Sequence, residues 1–245
     1  MFDVHCHILP GIDDGAVDVA ESIALLRLAI ADGITHMVAT PHINPGYFDN
    51  DRHSITAALA TLRTAAFEAN LPIAIGAAAE VRVTADLMLA IEKQQLPFLG
   101  VWQQQQVLLL EFPPSHIPPG SDKLVKWLAG KGILPMIAHP ERNREVQANL
   151  AVLEPFRRLG CLFQLTASSL LGDLGERHQA TAKQLVQQRL YHVMASDCHN
   201  TNRRPPKLTP SVLQVAFLTD SDYAESLVKH NPQQLTQSQH FGAVQ

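Results

Sequence analysis

The chain has 245 residues, 46% of them hydrophobic and 17% charged, which is typical of a globular protein with a substantial core. The net charge of -4 and the absence of basic runs exclude nucleic acid and anionic membranes as expected partners. No segment resembles a signal peptide or a membrane span, and three unpaired cysteines indicate reduced thiols, so we expect a cytoplasmic protein without membrane insertion.

Short apolar runs alternate with amphipathic segments along the chain. The predicted strands are Phe2–His7, Thr35–Thr40, Pro72–Ala79, Val107–Phe112, Leu134–Ala138, Cys161–Thr166 and Tyr191–Ala195. The predicted helices are Val17–Ala31, Arg52–Ala69, Ala85–Gln95, Asp122–Lys131, Val146–Leu159 and Ala180–Gln188. Several helices end at a glycine suited to a left-handed cap, namely Gly33, Gly132 and Gly160.

This alternation predicts an α/β fold in which parallel strands are joined by right-handed crossovers. Repeated strand–helix units favour a closed or nearly closed β/α barrel, and a doubly wound open sheet is the competing architecture. No linker divides the chain, so we expect a single domain over residues 1–245. Gln103–Gln106 is predicted to form a solvated loop, and the polar tail after Asn231 to be loosely held.

Ionisable side chains collect where the predicted strands end. In a parallel barrel all carboxyl ends open on one rim, where active sites are built. A single histidine or glutamate at a strand end is usually an ordinary polar residue, but chance would scatter such residues over both ends. Only the sixth strand, which ends near Thr166, offers no candidate. His5 and His7 lie two residues apart and share a face, whereas Cys6 faces away from them.

The candidate metal ligands number nine: His5, His7, Asp14, His42, Glu80, Glu111, His139, Asp197 and His199. One ion needs fewer ligands, so this set predicts two or three ions that share bridging carboxylates, with Glu80 and Asp197 as bridge candidates. Imidazole and carboxylate without thiolate favour Mn²⁺, Fe²⁺ or Zn²⁺ over a structural zinc built from cysteines. We therefore predict a catalytic polynuclear site.

The motifs that carry these residues are "HCHILPGIDDG", "ATPH", "LLLEF", "AHPERNR" and "SDCHNTNRRPP". Over residues 1–207 the chain resembles the PHP (polymerase and histidinol phosphatase) superfamily, and within it the bacterial protein-tyrosine phosphatases of the CpsB/YwqE type. Residues 208–245, a helix and a polar tail, add nothing to the resemblance. It implies a distorted (β/α)₇ TIM-like barrel, a trinuclear and commonly Mn²⁺-dependent phosphoesterase site, and a role in capsule or exopolysaccharide synthesis.

By position, the resemblance also implies a ligand set for each metal. The first metal would take His5, His7, Glu80 and Asp197; the second Glu80, Glu111 and His139; the third Asp14, His42 and His199. Arg142 and Arg204 match the phosphate-binding arginines of the family, although the adjacent Arg203 competes with Arg204 for that role. Asp13 does not match a ligand and is expected to orient its loop.

Together these features predict a phosphomonoester hydrolase that acts on phosphotyrosyl proteins, possible substrates including a bacterial tyrosine kinase. The hypothesis for its mechanism is in-line attack by a metal-bridging hydroxide, because divalent ions neutralise phosphate and lower the pKa of bound water. Tyr47 and Phe48 follow His42 in a turn-rich loop. They either stack on the substrate ring or anchor the loop on the barrel.

Three alternatives remain open from the sequence. Cys198 and Arg204 formally satisfy C-x₅-R, the spacing of cysteine-dependent phosphatases, although the intervening residues contain no glycine and Pro205 follows. A similar metal cluster would hydrolyse histidinol phosphate or a phosphodiester. Finally, the chain would be a metal-binding scaffold if activity had been lost. A chelator, a thiol reagent and a panel of phosphate esters distinguish these possibilities.

Overall fold

The computed structural model describes residues 1–242. Its strands are β1 (Phe2–Cys6), β2 (His36–Ala39), β3 (His42–Ile43), β4 (Ala74–Ala77), β5 (Glu80–Arg82), β6 (Gly100–Trp102), β7 (Gln105–Glu111), β8 (Ile133–Ile137), β9 (Leu162–Thr166) and β10 (Val193–Ala195). Its α-helices are α1 (Val19–Ala31), α2 (Arg52–Glu68), α3 (Leu87–Glu92), α4 (Ser121–Gly130), α5 (Arg144–Ala148), α6 (Glu154–Arg158), α7 (Ala167–Leu171), α8 (Glu176–Gln187), α9 (Thr209–Leu218), α10 (Ser221–Glu225) and α11 (Asn231–Leu235). None of the described helices is long and apolar enough to cross a membrane.

The strands form a parallel barrel with seven strand positions around its wall, which we call staves and number in chain order. Two staves are interrupted, so that β2 and β3 make up the second and β4 and β5 the third, while β6 adds an antiparallel hairpin to β7. The last strand returns to the first, because Asp197 N donates to His5 O at 2.8 Å and His7 N donates to Cys198 O at 2.8 Å. This closure confirms the predicted barrel and excludes the open doubly wound sheet.

Alternate residues of the staves point into the barrel, as β7 illustrates. Val107 and Leu109 belong to an apolar cluster inside the barrel. The intervening Leu108 and Leu110 belong to the larger cluster between the barrel and its helices. Glu111 continues the inward series, so its carboxylate lies above the interior core at the carboxyl end of the strand.

The first stave departs from this alternation through a β-bulge. Val4 belongs to the interior cluster, yet His5 and His7 also reach the inside of the barrel. The register with β2 shifts between Asp3 and Cys6, where β1 carries one residue more than its partner. The extra residue reverses the inward series, which is the usual effect of a bulge.

The fifth stave departs from it through a left-handed residue. Met136 and Ala138 point into the barrel, so a regular continuation would direct His139 outward. His139 instead has φ 28° and ψ 59°, an uncommon conformation for a residue with a side chain. The chain turns there, and His139 Nε2 comes to lie 2.8 Å from Glu80 Oε1 on the third stave.

All seven predicted strands are present within two residues of their predicted bounds, but three helix or loop predictions are wrong. The predicted helix Val146–Leu159 is broken into α5, a 3-10 turn and α6, because Asn149 ends the first piece and caps the next with a hydrogen bond to Ala151 N. The predicted loop Gln103–Gln106 is a tight turn followed by strand residues. The helix predicted over Ala85–Gln95 contracts to α3.

The prediction of a loosely held tail is also wrong for the described residues. Leu235 of α11 is fully buried in the interior cluster, where it plugs the amino-terminal end of the barrel. Beyond it, Gln239 Nε2 donates to Phe98 O at 3.1 Å and to Leu99 O at 3.0 Å. The carboxyl-terminal segment is therefore a structural part of the barrel, at the end opposite the predicted site.

Candidate metal centre

The nine predicted ligands all come together at the carboxyl end of the barrel. The tightest group surrounds the Nε2 atoms of His5 and His7, which are 3.3 Å apart. Glu80 Oε2 lies 3.3 Å from His5 Nε2 and 3.5 Å from His7 Nε2. Asp197 Oδ1 lies 3.5 Å and 3.4 Å from the same two nitrogens. Four ligand atoms from the first, third and seventh staves thus face a common centre.

Glu80 also faces ligand atoms on its other sides. His139 Nε2 is 2.8 Å from Glu80 Oε1, and His42 Nδ1 is 3.1 Å from Glu80 Oε2. Glu111 Oε2 lies 3.8 Å from His42 Nδ1, so that His42, Glu80 and Glu111 form one compact group. Glu80 therefore belongs to two groups of candidate ligands, which is the position expected of a bridging carboxylate.

A further group surrounds the more exposed Asp14. Its Oδ1 atom lies 3.4 Å from the Nε2 atoms of both His42 and His199, and His7 joins this group. The group that the family resemblance implies for the third metal, Asp14, His42 and His199, is thus found together, with His7 added. The implied grouping differs for Glu111, which groups with His42 and Glu80, whereas His139 groups with His5 and Asp197.

The chemistry of this donor set fits divalent cations. Glu80 Oε2 is buried and lies within 3.5 Å of three imidazole nitrogens, yet it makes no hydrogen bond to any described residue. Buried polar atoms without partners are rare, and each calls for an explanation such as an ion. A cation shared by these carboxylate and imidazole atoms would supply that explanation.

Hydrogen bonds to the far side of three of the five imidazoles fix their orientation. His5 Nδ1 is 3.0 Å from Gln164 Oε1, and His7 Nδ1 is 2.7 Å from Asp13 Oδ2. His199 Nδ1 donates to the backbone oxygen of Asp197 at 3.0 Å. Each contact leaves the Nε2 lone pair directed at the centre, which is the arrangement typical of metal-binding histidines.

The loop after β1 is shaped by a close approach of the backbone. A Cβ atom on Gly15 would collide with the backbone oxygen of His7, so only glycine fits there. Asp13 accepts hydrogen bonds from Gly15 N at 3.0 Å and His42 N at 3.1 Å, in addition to its contact with His7. Asp13 therefore orients the loop, and with it the neighbouring Asp14.

The pKa shifts of several candidate ligands indicate a site that attracts cations. Burial alone would lower the pKa of His5, but Glu80 and Asp197 outweigh burial and raise that pKa. Burial alone would raise the pKa of Asp197, but His5 and the nearby arginines hold it well below the ordinary value. Burial and the charge of Arg142 lower the pKa of His139 to about 4, which favours its neutral, metal-binding form.

Both predicted arginines reach the centre through Asp197. Arg142 pairs with Asp197 Oδ2, and Arg204 Nη2 lies 2.6 Å from the same oxygen. The Nε atom of Arg204 is buried without a partner among the described residues, so a donor remains for a ligand. Arg203 is exposed and is not among the residues that line the cleft, whereas Arg204 lines it, which favours Arg204 as the phosphate-binding residue.

A cleft of about 270 Å³ opens above the centre, and its lining includes residues that sequence reasoning missed. Arg82 lines the cleft and pairs with Glu111 Oε2 at 2.8 Å. It follows Glu80 by two residues of β5, so the alternation of the strand was the available signal. His178 of α8 also lines the cleft. No sequence signal distinguished His178 from the other helical histidines.

The structure distinguishes among three further residues that the sequence singled out, Tyr47, Phe48 and Cys198. Tyr47 is 82% exposed and does not line the cleft, whereas Phe48 stacks on His42 with ring centroids 5.4 Å apart. Phe48 is therefore the loop anchor, and substrate contact by Tyr47 stays a prediction. Cys198 is fully buried. Its backbone forms a parallel β-bridge with that of Cys6, where the last strand meets the first, and it does not line the cleft. A thiolate nucleophile at Cys198 consequently finds no support.

Comparison with known proteins agrees with this geometry. The chain is 37% identical to tyrosine-protein phosphatase YwqE of Bacillus subtilis over 204 residues, which are 83% of this chain and 79% of the relative. It is 27% identical to tyrosine-protein phosphatase CpsB of Streptococcus pneumoniae in an alignment that covers 98% of this chain and 99% of the relative.

Solved structures carry the same barrel. A structure from work on YwqE of Bacillus subtilis and CpsB of Streptococcus pneumoniae, described there as unique metal-dependent tyrosine phosphatases, superposes with a TM-score of 0.90 at 33% identity, covering 99% of this chain and 96% of that one. An organophosphorus hydrolase variant from Deinococcus radiodurans, at 15% identity and a TM-score of 0.59, shares the fold alone.

The family resemblance predicted from the motifs is thereby confirmed over more of the chain than expected. The sequence profile described as capsular polysaccharide synthesis, CpsB/CapC, matches residues 1–237, which extends beyond residue 207 and includes helices α9, α10 and α11. Fold, site and sequence agree, and the chain belongs to the CpsB/CapC family of capsular polysaccharide synthesis.

Proposed function

We propose that this chain is a metal-dependent phosphatase that hydrolyses phosphotyrosine in proteins. The observation that carries the proposal is the convergence of ligand atoms on Glu80, directly beside two arginines that line the same cleft. Its relatives are named tyrosine-protein phosphatases, which supports phosphotyrosine as the substrate class.

The proposed metal ligands are the nine residues predicted from the sequence. They are His5, His7, Asp14, His42, Glu80, Glu111, His139, Asp197 and His199. When bound, divalent ions neutralise the phosphate dianion and lower the pKa of coordinated water. We propose two or three ions and Mn²⁺ as their identity, because mixed imidazole and carboxylate sites suit Mn²⁺, and Fe²⁺ and Zn²⁺ are the competitors.

The residues of the chain bind and orient the phosphate group. Arg142 and Arg204 approach from one side of the cleft and present planar, permanently charged groups that match phosphate oxygens. Asp197 holds both guanidinium groups at the rim, so little ordering is needed when the phosphate arrives. A phenol has a pKa of about 10, so a tyrosyl leaving group departs without a strong general acid.

The biological setting follows from the family. We propose that the substrate is a phosphotyrosyl protein of the capsule or exopolysaccharide machinery, including a bacterial tyrosine kinase, and that the enzyme acts in the cytoplasm. We further propose that residues 1–245 form one phosphatase domain. The negative net charge supports a protein substrate over nucleic acid.

A direct test compares substrates at matched Mn²⁺ concentration, with bound metal quantified by elemental analysis. We expect a phosphotyrosyl peptide to be hydrolysed with a higher kcat/KM than histidinol phosphate or a phosphodiester, and metal-depleted protein to be inactive. Preference for histidinol phosphate would assign the chain to the other phosphatase chemistry of the superfamily. Metal binding without hydrolysis of any phosphomonoester would leave the scaffold interpretation.

A further inference from the structure

Two of the candidate ligands that enter the site through irregular backbone are bound by the same side-chain atom. His5 follows the bulge of β1, and His139 has the left-handed backbone at the end of β8. Gln164 Oε1 lies 3.0 Å from His5 Nδ1 and accepts a hydrogen bond from His139 N at 3.1 Å. Gln164 is fully buried on β9, the one stave without a candidate metal ligand.

These contacts fix the proton of His5. The backbone N–H of His139 is a donor, so the oxygen of the Gln164 amide, and not its NH₂ group, must face it. The same oxygen faces His5 Nδ1, which therefore carries the hydrogen. The Nε2 atom of neutral His5 is left with its lone pair directed at Glu80, His7 and Asp197.

The amide also reaches a third candidate ligand. Gln164 Nε2 donates to Thr166 Oγ1 at 3.4 Å, and Thr166 Oγ1 donates to Asp197 Oδ2 at 3.4 Å. His5, His139 and Asp197 form one of the compact groups suited to a metal ion. A chain of contacts from a single buried side chain thus touches all the members of that group, which come from three different staves.

We propose that Gln164 is a positioning residue of the metal centre, which sets the tautomer of His5 and holds the left-handed turn at His139. The inference rests on the proposed metal-dependent function and deepens it, because it assigns a role to the stave that lacks a ligand. A left-handed histidine is costly and persists only where neighbouring groups hold it. The hydrogen bond from His139 N to Gln164 is one such restraint.

Substitution of Gln164 separates this role from ordinary core packing. Gln164→Met retains the length of the side chain but leaves His5 Nδ1 and His139 N without an acceptor. Gln164→Asn keeps the amide on a side chain that is one methylene shorter, so its oxygen is withdrawn from His5 and His139. It replaces Gln164→Met in the test if the methionine variant does not fold. Gln164→Glu keeps an acceptor oxygen in place and is the conservative rescue.

The matched control is Gln239→Met. Gln239 also uses a partly buried amide to bind two backbone groups, the carbonyl oxygens of Phe98 and Leu99, at the opposite end of the same barrel. This variant repeats the chemical change without touching the site. We expect it to alter thermal stability and to leave metal affinity unchanged.

The measurement is Mn²⁺ affinity and stoichiometry of the metal-free full-length proteins by titration calorimetry, with circular dichroism as the test of folding. We expect Gln164→Met or Gln164→Asn to lower the affinity for Mn²⁺ about 10- to 100-fold, and Gln164→Glu to restore it. Native affinity in a folded Gln164→Met or Gln164→Asn variant, or an equal loss in Gln239→Met, would overturn the proposal. No phosphatase assay enters the test, so its outcome is independent of the substrate assigned above.

Discussion

Arg204 and Asp197 lie 2.6 Å apart, measured from Nη2 to Oδ2, so that a predicted phosphate ligand contacts a predicted metal ligand directly. The other oxygen of Asp197 faces His5 and His7. One buried carboxylate therefore separates the cationic side of the cleft from its metal-binding side. A phosphate group bound by Arg204 would therefore lie next to the candidate metal ligands.

The arginine pair yields the first prediction. Arg204→Ala removes a fixed positive charge beside the reacting phosphate, and we expect kcat/KM for a phosphotyrosyl peptide to fall about 100- to 1,000-fold. Arg203→Ala is the matched control, because Arg203 is the exposed neighbour. The measurement is the steady-state kinetics of both variants, with the metal content of each protein verified. Equal losses in both variants would show that Arg204 has no special role.

The second prediction separates metal from thiol chemistry. All three cysteines are buried, so iodoacetamide should leave the folded enzyme active. A chelator should abolish activity, and added Mn²⁺ should restore it, because the buried carboxylates and imidazoles of the centre need a cation. Activity is assayed after each treatment and desalting. Inactivation by iodoacetamide together with resistance to chelators would revive the role of Cys198.

The third prediction concerns the loop that presents Asp14. Gly15→Ala places a methyl group against the backbone oxygen of His7, so the loop must move and Asp14 with it. We expect fewer bound Mn²⁺ ions and a large loss of activity in a protein that still folds. Gly130→Ala is the control, since its Cβ would meet nothing within 4 Å in helix α4, and it should be neutral or slightly stabilising.

The regular part of the site was predictable from the sequence, because a strand has a period of two residues. Every second residue of β7 points into the barrel, so the inward series leads from Leu109 to Glu111. The same two-residue period places other acids and histidines at strand ends on the rim. Local periodicity also located the strands themselves. These features depend only on residues close together in the chain.

The irregular part was not predictable, because it depends on residues distant in sequence. The bulge before His5 and the left-handed turn at His139 both break the alternation, and both His5 and His139 contact Gln164 of another stave. Arg82 is different, because the two-residue alternation from Glu80 along β5 would have placed it on the same face. The tail was misjudged from its polar composition, although Leu235 is buried in the interior cluster and Gln239 binds backbone oxygens of the barrel.

The fourth prediction tests that anchor. Leu235→Ala removes a fully buried side chain from the interior cluster, and we expect the free energy of unfolding to fall by about 2–5 kcal/mol. Leu213→Ala makes the same change at a position that is 68% exposed, and should alter stability by less than about 0.5 kcal/mol. Urea denaturation of both variants is the measurement. Equal, small effects would mean that the tail does not seal the barrel.

The fifth prediction concerns substrate contact by Tyr47. The side chain is 82% exposed, on the loop whose next residue, Phe48, stacks on His42, so it is available to a bound protein and contributes little to folding. If Tyr47 stacks on the substrate, Tyr47→Ala should raise KM for a phosphotyrosyl peptide several-fold, in line with the roughly 0.5–1.5 kcal/mol of an aromatic pair. Tyr47→Phe should keep the native KM because the ring is retained. With glycerol phosphate, which has no ring, all three proteins should have the same kcat/KM. An unchanged KM of Tyr47→Ala for the peptide would remove Tyr47 from the substrate site, and the barrel rim alone would then recognise the phosphotyrosine.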